Sequence, residues 1–212
     1  MTDRGLFITF EGTEGCGKTT QMRLLAERLS SQGHTVTENQ EPGATRIGTQ
    51  IRRILLDPEH QEMASMTELL LMFASRTQAA AEIIRPALAR GEIVLSDRFT
   101  DSSVAYQGCA RGLGRDAVVQ LHRFALGSLV PDLTLLIDVD VEVGLSRARI
   151  RSQMDPSEAR LDLQSLEFHE RVSDAYHAIA ASEPARVRVI DGTGTCGEVA
   201  ERVWIEVEPL LR

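Results

Sequence analysis

The residues best placed to do chemistry are Gly12-Thr13-Glu14-Gly15-Cys16-Gly17-Lys18-Thr19. The run fits G-x-x-x-x-G-K-[ST] in full, after a strand-like run at 6–11 and before a helical pattern at 19–31. In that setting glycines let backbone N–H groups turn inward around phosphate oxygens, and the helix N-terminus adds a favourable dipole. Lys18 would reach the terminal phosphates of a nucleoside triphosphate, Thr19 would offer a hydroxyl to Mg²⁺, and Thr20 follows in the first helical turn. Of the 23 basic residues, 22 are arginine and one is lysine, and that lysine is Lys18. Phosphates inside a glycine-rich loop call for a slender point charge rather than a wide planar fork.

A loop of this kind specifies phosphate binding, not a reaction. Kinases, GTPase switches and motor or transport ATPases all use it. A guanine reader of the form Asn/Thr-Lys-x-Asp needs a second lysine, which this chain lacks. The modest length and the many arginines after the loop favour a small-molecule kinase. Two acids compete as the Mg²⁺ residue: Asp97, at the end of a strand at 93–96, and Asp138, at the end of a strand at 133–139. The sequence pattern does not choose between them. Arg98 beside Asp97 could take a second phosphate. Arg147 and Arg151 stand four apart on one helix and share a face, whereas Arg149 points away. An arginine there could stabilise a phosphoryl transition state.

The elements that must position these residues alternate. Strands are expected at 6–11, 35–39, 93–96, 133–139 and 187–190. Helices are expected at 19–31, 47–56, 67–90, 116–126, 141–151, 166–181 and 198–211, with Pro86 kinking or splitting the longest. A polar stretch at 152–160 has no apolar period and suits a mobile lid. The expectation is a single α/β domain over 1–212, a parallel sheet with helices on both faces.

Composition narrows the partners. A net charge of −8 and a pI near 5.2 argue against broad nucleic-acid binding, which rests on a basic stripe. Cys16, Cys109 and Cys196 are scattered thiols, and the five histidines make no zinc spacing. With no signal-like start and no apolar run of membrane-spanning length, a cytoplasmic location and no membrane partner are expected.

The motifs together resemble the thymidylate kinase family over nearly the whole chain. Phe10-Glu11-Gly12 with Glu14, Glu41-Pro42-Gly43 with Thr45, and Asp97-Arg98-Phe99 followed by Ser102-Ser103 and Ala105-Tyr106-Gln107-Gly108 carry the likeness. Pro131-Asp132-Leu133-Thr134 and Ile190-Asp191 extend it. The resemblance implies a three-layer P-loop kinase fold with a five-stranded parallel sheet and a small lid at about 147–164. It implies MgATP and dTMP giving ADP and dTDP in a homodimer. The arginine-rich lid resembles the bacterial subtype, which keeps its catalytic arginine there.

Carried over residue by residue, the resemblance implies that Arg98 and Arg52 hold the dTMP phosphate, with Ser102 nearby. Arg76 would donate to the thymine ring, Tyr106 and Gln107 would face base and sugar, and Glu14 would meet the sugar 3′-hydroxyl. Arg151 would stabilise the transferring group and Arg147 would lie along the adenine. The likeness also favours Asp97 over Asp138 for Mg²⁺. The chain departs from the pattern at Gln40 and Ala44, at Met72, where an aromatic usually stacks on thymine with Phe73 next door, and in a longer lid ending Ala159-Arg160. Cys16 in the loop suggests inhibition by thiol reagents.

Overall fold

The computed structural model describes residues 4–154, 157 and 159–211. Five strands, β1 (Phe7–Glu11), β2 (Val36–Gln40), β3 (Ile93–Asp97), β4 (Leu133–Asp138) and β5 (Val187–Asp191), form one sheet in the order β2-β3-β1-β4-β5. Every pairing is parallel. β1 and β3 are buried at all five positions, as parallel strands covered by helices on both faces are.

The two faces of the sheet nucleate separate cores. Phe7, Val94 and Leu136 pack with α3 (Ser65–Ala79), α6 (Arg115–Leu126) and α8 (Leu166–Ser182). Ile8, Phe10, Leu95, Leu135 and Ile137 pack on the opposite face with α1 (Lys18–Ser31) and α9 (Cys196–Val207). The two-residue period of the pleat divides these side chains between the layers. The result is the expected α/β architecture of three layers.

Three departures from the sequence reading have physical causes. The helix expected over 67–90 is divided into α3, a π-helical stretch over Ala80–Ile84, and the short α4 (Arg85–Ala89). Arg85 N–H reaches back five residues to the Ala80 carbonyl, and Pro86, which has no N–H, follows at once. Residues 100–110, for which no helix was expected, form α5 (Thr100–Ser103) and a π-helical segment over Val104–Ala110. At the C-terminal end α9 stops at Val207 and Glu208–Leu211 tightens into a 3₁₀ turn, since Pro209 cannot continue the α-helical ladder. Between these lie α2 (Arg46–Leu56) and α7 (Val141–Met154). Among the described residues no helix is long and apolar enough to cross a membrane.

Candidate active site

Parallel sheets place ligands beyond the carboxyl ends of their strands, where the chain changes direction across the sheet. Here β1 lies between β3 and β4. The register pairs Phe10 with Asp97, and Arg98 N–H donates to the Phe10 carbonyl at 2.9 Å, so the loop after β1 and the residues ending β3 emerge side by side. A cavity of about 570 Å³ opens there, with Lys18, Thr19, Thr20, Asp97 and Arg98 in its wall.

Thr19 Oγ1 donates to Asp97 Oδ2 at 2.6 Å. Two hard oxygen ligands side by side at the loop suit Mg²⁺, which keeps several waters and takes one or two protein groups plus substrate phosphates. Among the described residues no cluster of three or more His, Cys, Asp or Glu could hold a metal by itself. Asp138 does not line the cavity; it is half-exposed, with His177 Nε2 3.3 Å from its Oδ1.

The loop is held from behind by close backbone contact. Gly15 has φ +67, and a Cβ there would lie 2.0 Å from the Gly144 carbonyl oxygen in α7. A Cβ at Gly144 would in turn lie 2.5 Å from the Glu14 carbonyl oxygen. Glycine at both positions lets the loop and the first turn of α7 touch. Lys18 Nζ donates to the carbonyls of Thr13 at 2.7 Å and Gly12 at 3.1 Å. Cys16 is 3% exposed. Burial shields the Cys16 thiol, so a reagent that inhibits through it must reach it by local opening, whereas Cys109 and Cys196 are exposed.

Arg98 is the hub of the site. Its backbone adopts φ +72, a left-handed conformation that costs a non-glycine residue about 1–2 kcal/mol. Its guanidinium makes enough bonds to hold it there. Nη1 donates to the Gly12 carbonyl, Ser102 Oγ and Tyr176 Oη, and Nη2 to Glu14 Oε1 and Tyr106 Oη, all at 3.0–3.2 Å. Glu14 also accepts from Tyr106 Oη at 2.5 Å and lies 3.2 Å from His169 Nδ1. Burial alone would raise the Glu14 carboxyl, but Arg98, His169 and Lys18 outweigh it and hold the group ionised, well below the usual carboxylate range.

Glu11, buried at the end of β1, accepts from Phe99 N–H at 2.8 Å, Ser102 Oγ at 2.5 Å and Tyr176 Oη at 2.9 Å. Burial, helped by nearby Asp101 and opposed by Arg98, pushes its carboxyl up to about 7. It fixes three of the groups around Arg98 without lining the cavity. The sequence reading did not assign it a role, although its place immediately before Gly12 marks it.

At the far end of the cavity Arg76 is 1% exposed. Its Nε pairs with Glu41 Oε2 at 2.5 Å, Nη1 donates to Ser103 Oγ at 3.0 Å and Nη2 to the Phe99 carbonyl at 2.9 Å. Met72 and Phe73 separate cleanly: Met72 lines the cavity, while Phe73 is buried in the core with the Arg76 guanidinium 4.8 Å above its ring. Ser102, Tyr106 and Gln107 line the same wall, joined by Ser103, which the sequence reading left without a role. Arg52 lines the opposite side and donates to the Pro42 carbonyl at 2.8 Å. Arg151 reaches the mouth, paired with Asp162 at 3.2 Å, whereas Arg147 stands exposed outside the wall.

The family model for thymidylate kinase matches residues 10–203. The chain belongs to the thymidylate kinase family. Its relatives include the thymidylate kinase of Pelobacter propionicus, 50% identical over 205 residues that span 96% of this chain and 94% of that protein. That of Geobacter sp. strain M21 is 52% identical over 210 residues, 98% of this chain and 92% of the relative. The crystal structure of thymidylate kinase from Ehrlichia chaffeensis superposes with a TM-score of 0.79 at 33% identity, covering 97% of this chain and 99% of that one. The cavity has two ends, one at the glycine-rich loop and one walled by Arg76, Ser103 and Gln107.

Proposed function

We propose that this cavity holds dTMP with its phosphate between Arg98 and Arg52, facing the terminal phosphate of ATP on the loop. As a thymidylate kinase the chain phosphorylates dTMP to dTDP with ATP, a step in dTTP synthesis. The observation that carries the site assignment is Arg98. One guanidinium touches the loop carbonyl of Gly12, Glu14, and the wall residues Ser102 and Tyr106, at the place where donor and acceptor phosphates must meet.

The dTMP phosphate is already an anionic nucleophile, so no general base is needed. The work left to the protein is alignment and charge stabilisation. Lys18 exchanges its contacts with the loop carbonyls for phosphate oxygens. Arg98 neutralises the acceptor phosphate and holds it in line. Arg151 swings from Asp162 onto the transferring group. Glu14, kept ionised, accepts the sugar 3′-hydroxyl proton bond, with Tyr106 beside it. Arg76 and Gln107 address the edges of the ring, and Met72 supplies a polarisable surface against its face. Thr19 and Asp97 would hold Mg²⁺, which would supply charge neutralisation to the phosphates.

Arg151→Ala is the test of this arrangement. Turnover is expected to fall roughly 1,000-fold, the lower range for an arginine at a phosphoryl transition state, with the KM for ATP changed less than about twofold. Unaltered turnover would remove Arg151 from the mechanism. The family likeness also supports a homodimer and a cytoplasmic location.

A further inference from the structure

We infer that Glu68 is a positioning residue that ties the base end of the cavity to the arginine at the reacting phosphates. Glu68 sits in α3, is 0% exposed and does not line the cavity. Its Oε1 accepts from Gln107 Nε2 at 2.9 Å and Arg111 Nε at 3.3 Å, and its Oε2 from Arg160 Nη2 at 2.6 Å and Arg111 Nη2 at 3.2 Å. One carboxylate therefore holds both a cavity-wall amide and a guanidinium from the segment read as the lid.

Arg160 is itself fixed at its other side. Its Nε donates to the Leu55 carbonyl and its backbone N–H to the Leu56 carbonyl at 3.1 Å, so it is pinned to the end of α2. Two residues later Asp162 Oδ2 accepts from Arg151 Nη2 at 3.2 Å and from Ser152 Oγ. A continuous path thus runs from Gln107 through Glu68, Arg160 and Asp162 to Arg151. Arg111 braces it by donating to Gln164 Oε1 at 3.0 Å, while Gln164 Nε2 donates to the Arg160 carbonyl at 3.1 Å.

Fold stability alone does not call for such a cluster. Well-packed apolar side chains of similar volume are commonly as stable as a buried ion pair or more so. What the cluster does is fix orientations. Burial opposes ionisation of Glu68, but Gln107, Arg111 and Arg160 outweigh it, so the carboxylate stays charged and holds its donors. A pyrimidine that hydrogen-bonds the Gln107 amide fixes that amide, and through Glu68 restrains Arg160. The relay rests on dTMP occupying this cavity, as proposed above.

Hydrogen exchange reads the relay directly. The amides to follow are Arg160, Leu163 and Gln164, which donate to the Leu56, Ala159 and Leu161 carbonyls. In the parent enzyme dTMP is expected to slow their exchange roughly 10-fold, whereas deoxyribose 5-phosphate, which lacks the base, slows it less than about twofold. In Glu68→Gln the dTMP effect should fall below about twofold while dTMP still binds, kcat should drop roughly 10-fold and the KM for ATP should stay within about twofold. Gln107→Leu severs the same path yet leaves Glu68 paired with both arginines, so it decides the matter if Glu68→Gln does not fold. Its dTMP protection should be lost as well, read at dTMP concentrations that saturate the variant so that weaker binding does not account for the loss. Full dTMP protection in either folded variant would overturn the relay. Failure of dTMP to bind the parent enzyme would instead overturn the functional reading on which the relay rests.

Discussion

Glu11 shows how a single buried carboxyl can set the pH behaviour of the protein. Its ordinary value near 4.5 is raised to about 7 in the fold. Between those two values the folded chain keeps a proton that the unfolded chain has lost. Its contribution to stability is therefore full below pH 4.5 and is lost as pH rises through 7, a change of about 3 kcal/mol before relaxation. Glu11→Gln removes that titration. The stability of the variant relative to the parent should rise by up to about 3 kcal/mol between pH 4.5 and 8, as followed by denaturant unfolding. Parallel curves for the two proteins would show that Glu11 does not titrate in this range. At this scale the chemistry of the loop was legible, because backbone geometry and phosphate charge demand glycines and Lys18 at fixed spacing. Supporting residues were not. Glu68 and Arg160 are 92 positions apart, and nothing in a local pattern reports that a distant guanidinium will meet a buried carboxylate.

At the scale of elements, the loop between β2 and α2 carries a strained residue. Ala44 has φ +52, where the chain departs from the resembled pattern by lacking glycine. Thr45 follows as the cap of α2, its side chain accepting from Gly48 N–H, so the backbone cannot relax freely. Ala44→Gly relieves roughly 1 kcal/mol of left-handed strain and returns part of it as greater freedom of the unfolded chain. The variant should melt roughly 1–3 °C higher in a calorimetric scan. A lower melting temperature would mean that Ala44 is not strained. The strands were legible from their apolar and β-branched runs, and most helices from their apolar period; the caps Ser165 and Thr195 emerged only in the structure. Residues 100–110 were not, because small and polar side chains there serve the cavity and leave no apolar stripe, and the π-helical turn breaks the period.

For the molecule as a whole, two helices that pack against one another present apolar side chains to solvent: Met66 and Leu70 on α3, and Phe124, 90% exposed, on α6. Such exposure on a protein otherwise rich in charge suits a self-complementary interface. Sedimentation equilibrium should give twice the chain mass, and Phe124→Asp should shift the population toward monomer; a parent enzyme that sediments as a monomer would contradict the proposed dimer. The fold class and the parallel sheet could be read from the alternation of elements. The cavity's two-ended design could not, because it depends on β1 lying between β3 and β4. The central claim, that the cavity joins ATP on the loop to dTMP at Arg98, is tested most directly by ADP formation with ATP and each common nucleoside monophosphate in turn. The account predicts strong stimulation by dTMP and little by purine monophosphates. ADP formation that dTMP does not raise above basal hydrolysis would contradict it.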